Sequence, residues 1–505
     1  MLKSINLRFF YHVLLLVVLI LWSSCRKDFN YENSTGNLSF SKDTVYLDTV
    51  FTNIGSSTYT LKVYNRSTTD LQIPSILLEN GLESNYRLNV DGQAGNNFNN
   101  IPLLAKDSLY IFIETTIDIS STSQNEFLYT DAILFDQGIH QQKIPLITLV
   151  KDAIFLYPRK DVNGVRETII LENNGEELEV NGFELEENQL QFTNEKPYVI
   201  YGYAAIPENS ILQIDAGARV YFHKNSGIYA QNASSLIING DVSIDETLLE
   251  NEVVFEGDRL EPEFSSVAGQ WGGILLASES VGNVINHLTL KNATVGILVN
   301  GVNSEGQINL KITNSQIYNS SNTNLLARNA YVTGENLVLG NAGSNSLHLN
   351  DGGYYSFIHS TIANYWFSSF RMGSALKIDS NANNLNKADF TNCIIDGSKS
   401  NELLLSSSAN NTSFNFNFTN SMLKVNLTAN SSNPLYNFEN IENYNLVYFN
   451  EDAFYTDSKQ NLFSITSNSF AIGKANLEAA QLVPIDILGN NRTVNPSIGA
   501  YQFKE

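Results

Sequence analysis

Cysteine, proline and basic residues are scarce in this 505-residue chain. Only Cys25 and Cys393 are present, which rules out a disulfide framework; a fold of this length must rest on a large apolar core instead. Thirty Lys and Arg stand against 52 Asp and Glu, a formal charge of −22. That excess of acid excludes nucleic acid as a partner and any electrostatic grip on anionic lipid. Long apolar stripes of helical period are nearly absent, and Pro occurs only ten times. The one greasy run, Val13 to Trp22, is too short to span a bilayer, which takes roughly 20 apolar residues. What remains is rich in Asn and Ser, with β-branched and aromatic residues in short bursts. That pattern predicts an all-β protein.

The N-terminus has the layout of a secretory signal: Lys3 and Arg8, the apolar run, then Ser23-Ser24-Cys25. A Cys directly after small residues resembles the lipobox of bacterial lipoproteins. The resemblance implies a signal peptide over 1–24, lipidation of Cys25, and stable anchoring to a membrane through several acyl chains. Arg26-Lys27-Asp28 weakly resembles the surface-export signal of Bacteroidota lipoproteins. The expected location is therefore the outer membrane, lipid-anchored and exposed at the cell surface. Residues 25–37 read as a flexible tether.

Two β bodies are expected beyond it. From 38 to 152, about seven strand-like segments alternate apolar and polar residues, among them Thr58 to Asn65 and Ser108 to Ile113. That spacing predicts a β-sandwich. With Val50-Phe51-Thr52, Gly55-Ser56 and Leu103 to Ser108, it resembles an immunoglobulin-like domain. Residues 153–197 read as a connecting segment.

In the second body a five-residue phrase recurs. It ends at Val295, Ile317, Val338, Ile362, Ile395 and Leu423, at intervals of 21 to 33 positions. Such a repeat marks a solenoid. A period near 22 residues suits one coil of a three-sided parallel β-helix, with Asn and Ser stacked in ladders at a turn. Cys393 falls among the small residues of that ladder. Leu212 to Phe222, Val253 to Gly257, Gly269 to Ile274 and Pro496 to Phe503 resemble exported right-handed parallel β-helix lipoproteins of Bacteroidota. The predicted fold is thus all-β: an N-terminal immunoglobulin-like β-sandwich, a right-handed parallel β-helix over 198–445, and a C-terminal cap over 446–505. Ala475 to Leu482 is the one convincing helical stretch.

Candidate chemistry is thin. Glu256, Asp258 and Glu261, with Glu263 and Arg259, form the strongest acidic cluster and the only weak metal candidate; Pro262 and the chain direction scatter their side chains. His348 with Asp351, and His359 one coil on, offer an acid/base pair or simply surface and ladder histidines. Tyr354, Tyr355, Tyr365 and Trp366, followed by Phe367 and Phe370, are the candidate ligand-binding aromatics. Stacked on a flank they would hold sugar rings or a partner; otherwise they cover an insertion. No catalytic residue is assigned and no cofactor is expected. The favoured reading is a noncatalytic glycan- or protein-binding scaffold. A structural subunit of an outer-membrane complex and a carbohydrate-active lyase or hydrolase are the alternatives. Expected partners are the membrane, an outer-membrane complex or polysaccharide, and no nucleic acid.

Overall fold

The computed structural model describes residues 30–119, 125–173, 176–302, 304–408, 413–428 and 433–504. Cys25 and the apolar run before it lie outside the described residues. The chain forms two compact units, divided after Lys151.

The first unit is a β-sandwich of a six-stranded and a five-stranded sheet. Strands such as Ser108–Thr115 and Gln142–Lys151 bury alternate residues, as a one-sided sheet requires. Val45, Leu61, Ile73, Ile111, Ile133 and Leu146 meet between the sheets. The segment 30–37, expected as tether, belongs to this body. Glu32–Asn33 pairs with Leu71–Gln72, and the buried Ser34 hydroxyl donates to Asp136, which also accepts from Gly36 N at 3.0 Å.

The second unit is a parallel β-helix with three faces. The first face is an eleven-stranded parallel sheet, from Ile154–Leu156 through Arg219–Phe222 and Val338–Ala342 to Tyr448–Phe449. The second and third faces are contributed by one continuous eighteen-stranded sheet. Two long strands, Thr323–Glu335 and Leu347–Ile358, turn the corner between them without breaking. The stack therefore starts at Ile154. Residues 153–197, expected as a connector, supply strands to all three faces.

Register explains the sequence. On the first face Val220, Phe255, Leu290, Ile317, Leu339, Ile362, Ile395 and Leu423 lie one above another and point inward. On the third face Phe357, Phe390, Phe418 and Tyr444 form a pile of near-parallel rings with centroids 5.0–5.9 Å apart. That spacing follows the rise of about 4.8 Å per coil.

The Asn-rich phrase sits at the corner before the first face. His287, Asn314, Asn336, His359, Asn392 and Asn420 all adopt left-handed backbone there, with φ between 44° and 57°. Asn tolerates that conformation better than other side chains with a Cβ. Its amide also bonds coil to coil: Asn336 Nδ2 donates to Asn314 Oδ1 at 2.8 Å, and Asn314 Nδ2 to Asn286 Oδ1 at 2.9 Å. Cys393 lies beside this ladder, fully buried at the position of Ser315, Ser360 and Ser421: its thiol donates to Thr391 O at 3.4 Å, as each of their hydroxyls donates to the carbonyl two residues back, and its N–H donates to Ser421 Oγ at 3.1 Å. Burial pushes its thiol up to about 12.

Residues 451–504 run back along the outside of the first face. Phe463, Ile487, Ala500 and Tyr501 cover Val338 and Ala363; Ile465, Ala471 and Ile498 cover Ile394 and Met422. Arg492 is wholly buried under this strap and donates to Asn336 Oδ1 and to the carbonyls of Gly499 and Ala500. The one α-helix of the described residues, Leu477–Leu482, is capped by Asn476 within the strap.

Candidate functional site

Three of the four acids of the sequence cluster each have their own basic partner. Glu256 pairs with Lys291, Asp258 with His223 Nδ1 and Glu261 with Arg259, all at 2.7 Å. Burial raises the Asp258 carboxyl, while the His223 ring pulls it down. Among the described residues no group of three or more His, Cys, Asp or Glu is placed to hold a metal ion.

The four candidate aromatics do not converge. Tyr355 points into the core and is fully buried, its hydroxyl donating to Gly352 O at 2.7 Å, so it is not a surface ligand-binding residue. Strand alternation is the reason: Tyr354 and Tyr355 necessarily face opposite ways. Tyr354 lies outside against Tyr331, with ring centroids 5.7 Å apart. Tyr365 donates to Asp396 at 2.6 Å and packs edge-on against Tyr455 of the strap. Trp366 is buried, its indole N–H donating to Ser369 Oγ at 3.0 Å. Of the aromatic residues here only Phe367 and Phe370 stand out in solvent, 67% and 87% exposed. Their loop is pinned at its base by a buried fork, with Arg371 donating twice to Glu402 at 2.8 and 2.6 Å.

His348 bonds Asp379 at 2.9 Å, one coil on, rather than Asp351. Lys377 and Asn350 also hold Asp379, and its carboxyl titrates below the usual carboxylate range, its burial outweighed by the bonds from His348 and Lys377. Asp351 accepts instead from the backbone of Asn381, Ala382 and Asn383, which shapes that turn. His359 is a ladder residue, Nε2 lying 2.9 Å from Asn392 Nδ2.

A cleft that sequence reasoning passed over lies on the second face. It is built from the hairpin Thr168–Asn173 and Glu176–Glu184, whose end joins the second face by pairing with Tyr203–Ala205. The hairpin folds over an outward column of that face: Ala205, Tyr229, Leu275, Leu298 and Leu326 in register. Ile169, Leu171 and Val180 pack toward the column. The Tyr229 phenol lies against the backbone of Glu172 in the hairpin. Between hairpin and face remains a cleft of about 780 Å³, lined by Leu178, Val180, Tyr203, Leu275, Val295 and Leu298, with Asn181, Asn225 and Thr294 as polar members.

The floor depends on glycine. A Cβ on Gly272 would come within 2.1 Å of the Tyr203 hydroxyl, and one on Gly273 within 1.8 Å of Val295 O. The Gly-Gln-Trp-Gly-Gly phrase thus lets Tyr203 lie flat against the coil. Trp271 of the same phrase turns inward and stacks on Phe222, with centroids 4.1 Å apart. The signal for the hairpin is legible in retrospect: Asn174-Gly175 flanked by alternating Ile169, Leu171, Leu178 and Val180.

No family model matches this chain, and no curated protein matches it. Solved structures of similar outline include a family 123 glycoside hydrolase from Clostridium perfringens, 9% identical over 24% of this chain and 30% of that one, with a TM-score of 0.17. The major pilin subunit BcpA of Bacillus cereus is 13% identical over 26% of this chain and 49% of that one, TM-score 0.14. The catalytic unit of a GH87 α-1,3-glucanase from Streptomyces thermodiastaticus is 10% identical over 72% and 84%, TM-score 0.23. The chain spans less than half the length of the first two. Likenesses at these scores carry no argument about activity.

Proposed function

We propose that this protein is a cell-envelope scaffold, held at the outer membrane surface by lipid on Cys25, that binds a glycan or protein on the flank of its β-helix without catalysing a reaction. The observation that carries this reading is the cleft on the second face. It is large enough for several sugar or amino-acid residues, walled by apolar side chains, and furnished with a few polar groups at one end. The acids that a hydrolase or lyase would recruit, Glu256, Asp258 and Glu261, are instead each held by a basic side chain. The anchor rests on the sequence around Cys25 and on the resemblance to exported β-helix lipoproteins.

Two measurements test it. Cells fed an alkyne fatty acid incorporate the label in the wild type and lose it in Cys25→Ala; a labelled Cys25→Ala protein would refute the anchor. Capture from solubilised envelope and from a glycan array is then compared with Thr294→Trp. Thr294 is exposed at the cleft, so the indole blocks it without touching the core. A ligand retained by wild type and lost by Thr294→Trp is expected. Equal capture by both proteins would remove the cleft from the account, and a stoichiometric membrane partner would favour the assembly-subunit reading.

A further inference from the structure

The hairpin over the cleft has a free edge. Thr168–Asn173 pairs with Glu176–Asn181 on one side and begins the sheet, with no second partner strand among the described residues. Proteins normally shorten or cover such an edge, because its backbone groups are a template for another strand. This edge is six residues, about 20 Å, long. It is flanked by the cleft, and apolar side chains near it remain in water: Ile170 is 56% exposed and Leu178, overhanging the cleft, 53%.

The two sides of the hairpin differ in chemistry. Residues paired across it share a side, so Ile169, Leu171, Leu178 and Val180 face the stack, while Glu172, Glu177 and Glu179 share the outer side with Ile170. None of these three glutamates has a basic side chain within ion-pair distance among the described residues; Glu179 only accepts from Thr168 Oγ1 at 2.8 Å. Apart from Glu172, whose backbone meets the Tyr229 phenol, the edge therefore offers backbone without a partner strand, an apolar trough beneath and three uncompensated carboxylates above.

We infer that the cleft receives an extended polypeptide segment in which apolar and basic residues alternate. It adds as a strand along Thr168–Asn173, puts its apolar side chains into the trough over Leu275 and Leu298, and turns its Lys or Arg toward Glu172, Glu177 and Glu179. An alternating strand matches both sides at once, since its side chains leave in opposite directions. A glycan or an acyl chain has no regular row of amide groups to pair with the edge. The inference rests on the scaffold reading above and names its partner class.

The probe is fluorescein-labelled Lys-Val-Lys-Val-Lys-Val-Lys, followed by fluorescence anisotropy with the whole protein. Saturable binding is expected. Glu172→Gln/Glu177→Gln/Glu179→Gln, all surface changes, should weaken it about tenfold and flatten its salt dependence. The same peptide N-methylated at alternate residues should lose binding, which needs no change to the protein at all. Thr294→Trp should block it. Absence of saturable binding overturns the inference. So does binding that salt abolishes but N-methylation leaves intact, which would be ion exchange on an acidic surface. Should the peptide fail while a glycan is captured in a Thr294-dependent way, the scaffold reading stands and the peptide class falls. Should both fail, both fall.

Discussion

Asn392 is where the ladder, the backbone conformation and the strap meet, so its replacement separates their contributions. The residue is fully buried with φ 57°. Its Oδ1 accepts from Asn476 N at 2.6 Å, and its Nδ2 lies 3.1 Å from Asn476 O and 2.9 Å from His359 Nε2. Asn392→Ala removes the amide and leaves the buried His359 Nε2 without it, at about 1–3 kcal/mol, while the Asn476 groups, only part-buried, turn to water. It also places an ordinary side chain in left-handed backbone, a further ~1 kcal/mol. Asn392→Gly removes the same bonds but relieves the backbone cost. The expected order of stability is wild type, then Gly, then Ala, with Ala roughly 2–4 kcal/mol below wild type on these figures. Urea unfolding followed by tryptophan fluorescence reads this directly, since Trp271 and Trp366 are both buried in the β-helix unit. Stacked arrays unfold by parts, so the midpoint is the quantity to compare. Equal midpoints for Ala and Gly, or an Ala variant indistinguishable from wild type, would refute the ladder argument.

Three further outcomes are expected. Burial and the nearby Arg492 guanidinium hold the His359 imidazole neutral, well below its ordinary value of 6.5. The unfolded chain therefore takes up the proton first: stability is complete above about pH 6.5 and falls as pH drops below it. His359→Asn, which matches the other ladder members, should flatten the loss in urea midpoints between pH 7.5 and 5. Arg371→Met strands the buried Glu402 carboxylate, whose pKa burial already raises against the pull of Arg371. A loss of about 3–5 kcal/mol in urea titrations is expected, with early proteolytic cutting of the Phe367–Phe370 loop. Cys393 should resist a thiol reagent such as DTNB in the folded protein, given burial and a thiol raised to about 12, and react fully only in denaturant.

The β-helix was readable because its apolar residues recur at one position of every coil. Ile317, Ile362, Ile395 and Leu423 share the inward column that their phrase predicts. The phrase ending at Val338 is displaced by one, because Asn336 takes the left-handed corner and Leu339 the inward place. The phrase ending at Val295 belongs to another corner altogether. Asn292, Asn319 and Asn341 form a second left-handed column after the first face, with Asn319 Nδ2 donating to Asn292 Oδ1 at 2.6 Å. Two Asn-rich corners look alike in sequence, and only pairing tells them apart. The site was less legible. Spacing cannot tell that Tyr354 faces out and Tyr355 in until the strand is known. The acids were found as a cluster, but their partners Lys291 and His223 come from neighbouring coils 35 residues away in each case. The cleft was hidden because its hairpin lies in the segment 153–197, which lacks the solenoid period.

The most direct test of the coil stack is a set of distances between spin labels on one outward column of the third face. Gln213, Lys311 and Asn417 stand in that column, three and seven steps of register apart in order from Gln213. With Cys393→Ser as background, label separations of about 14 Å for Gln213–Lys311 and about 34 Å for Gln213–Asn417 are expected, one strand spacing per coil whatever the coil's length in residues. Separations that instead follow the number of intervening residues would contradict the parallel stack, and with it the cleft on its flank.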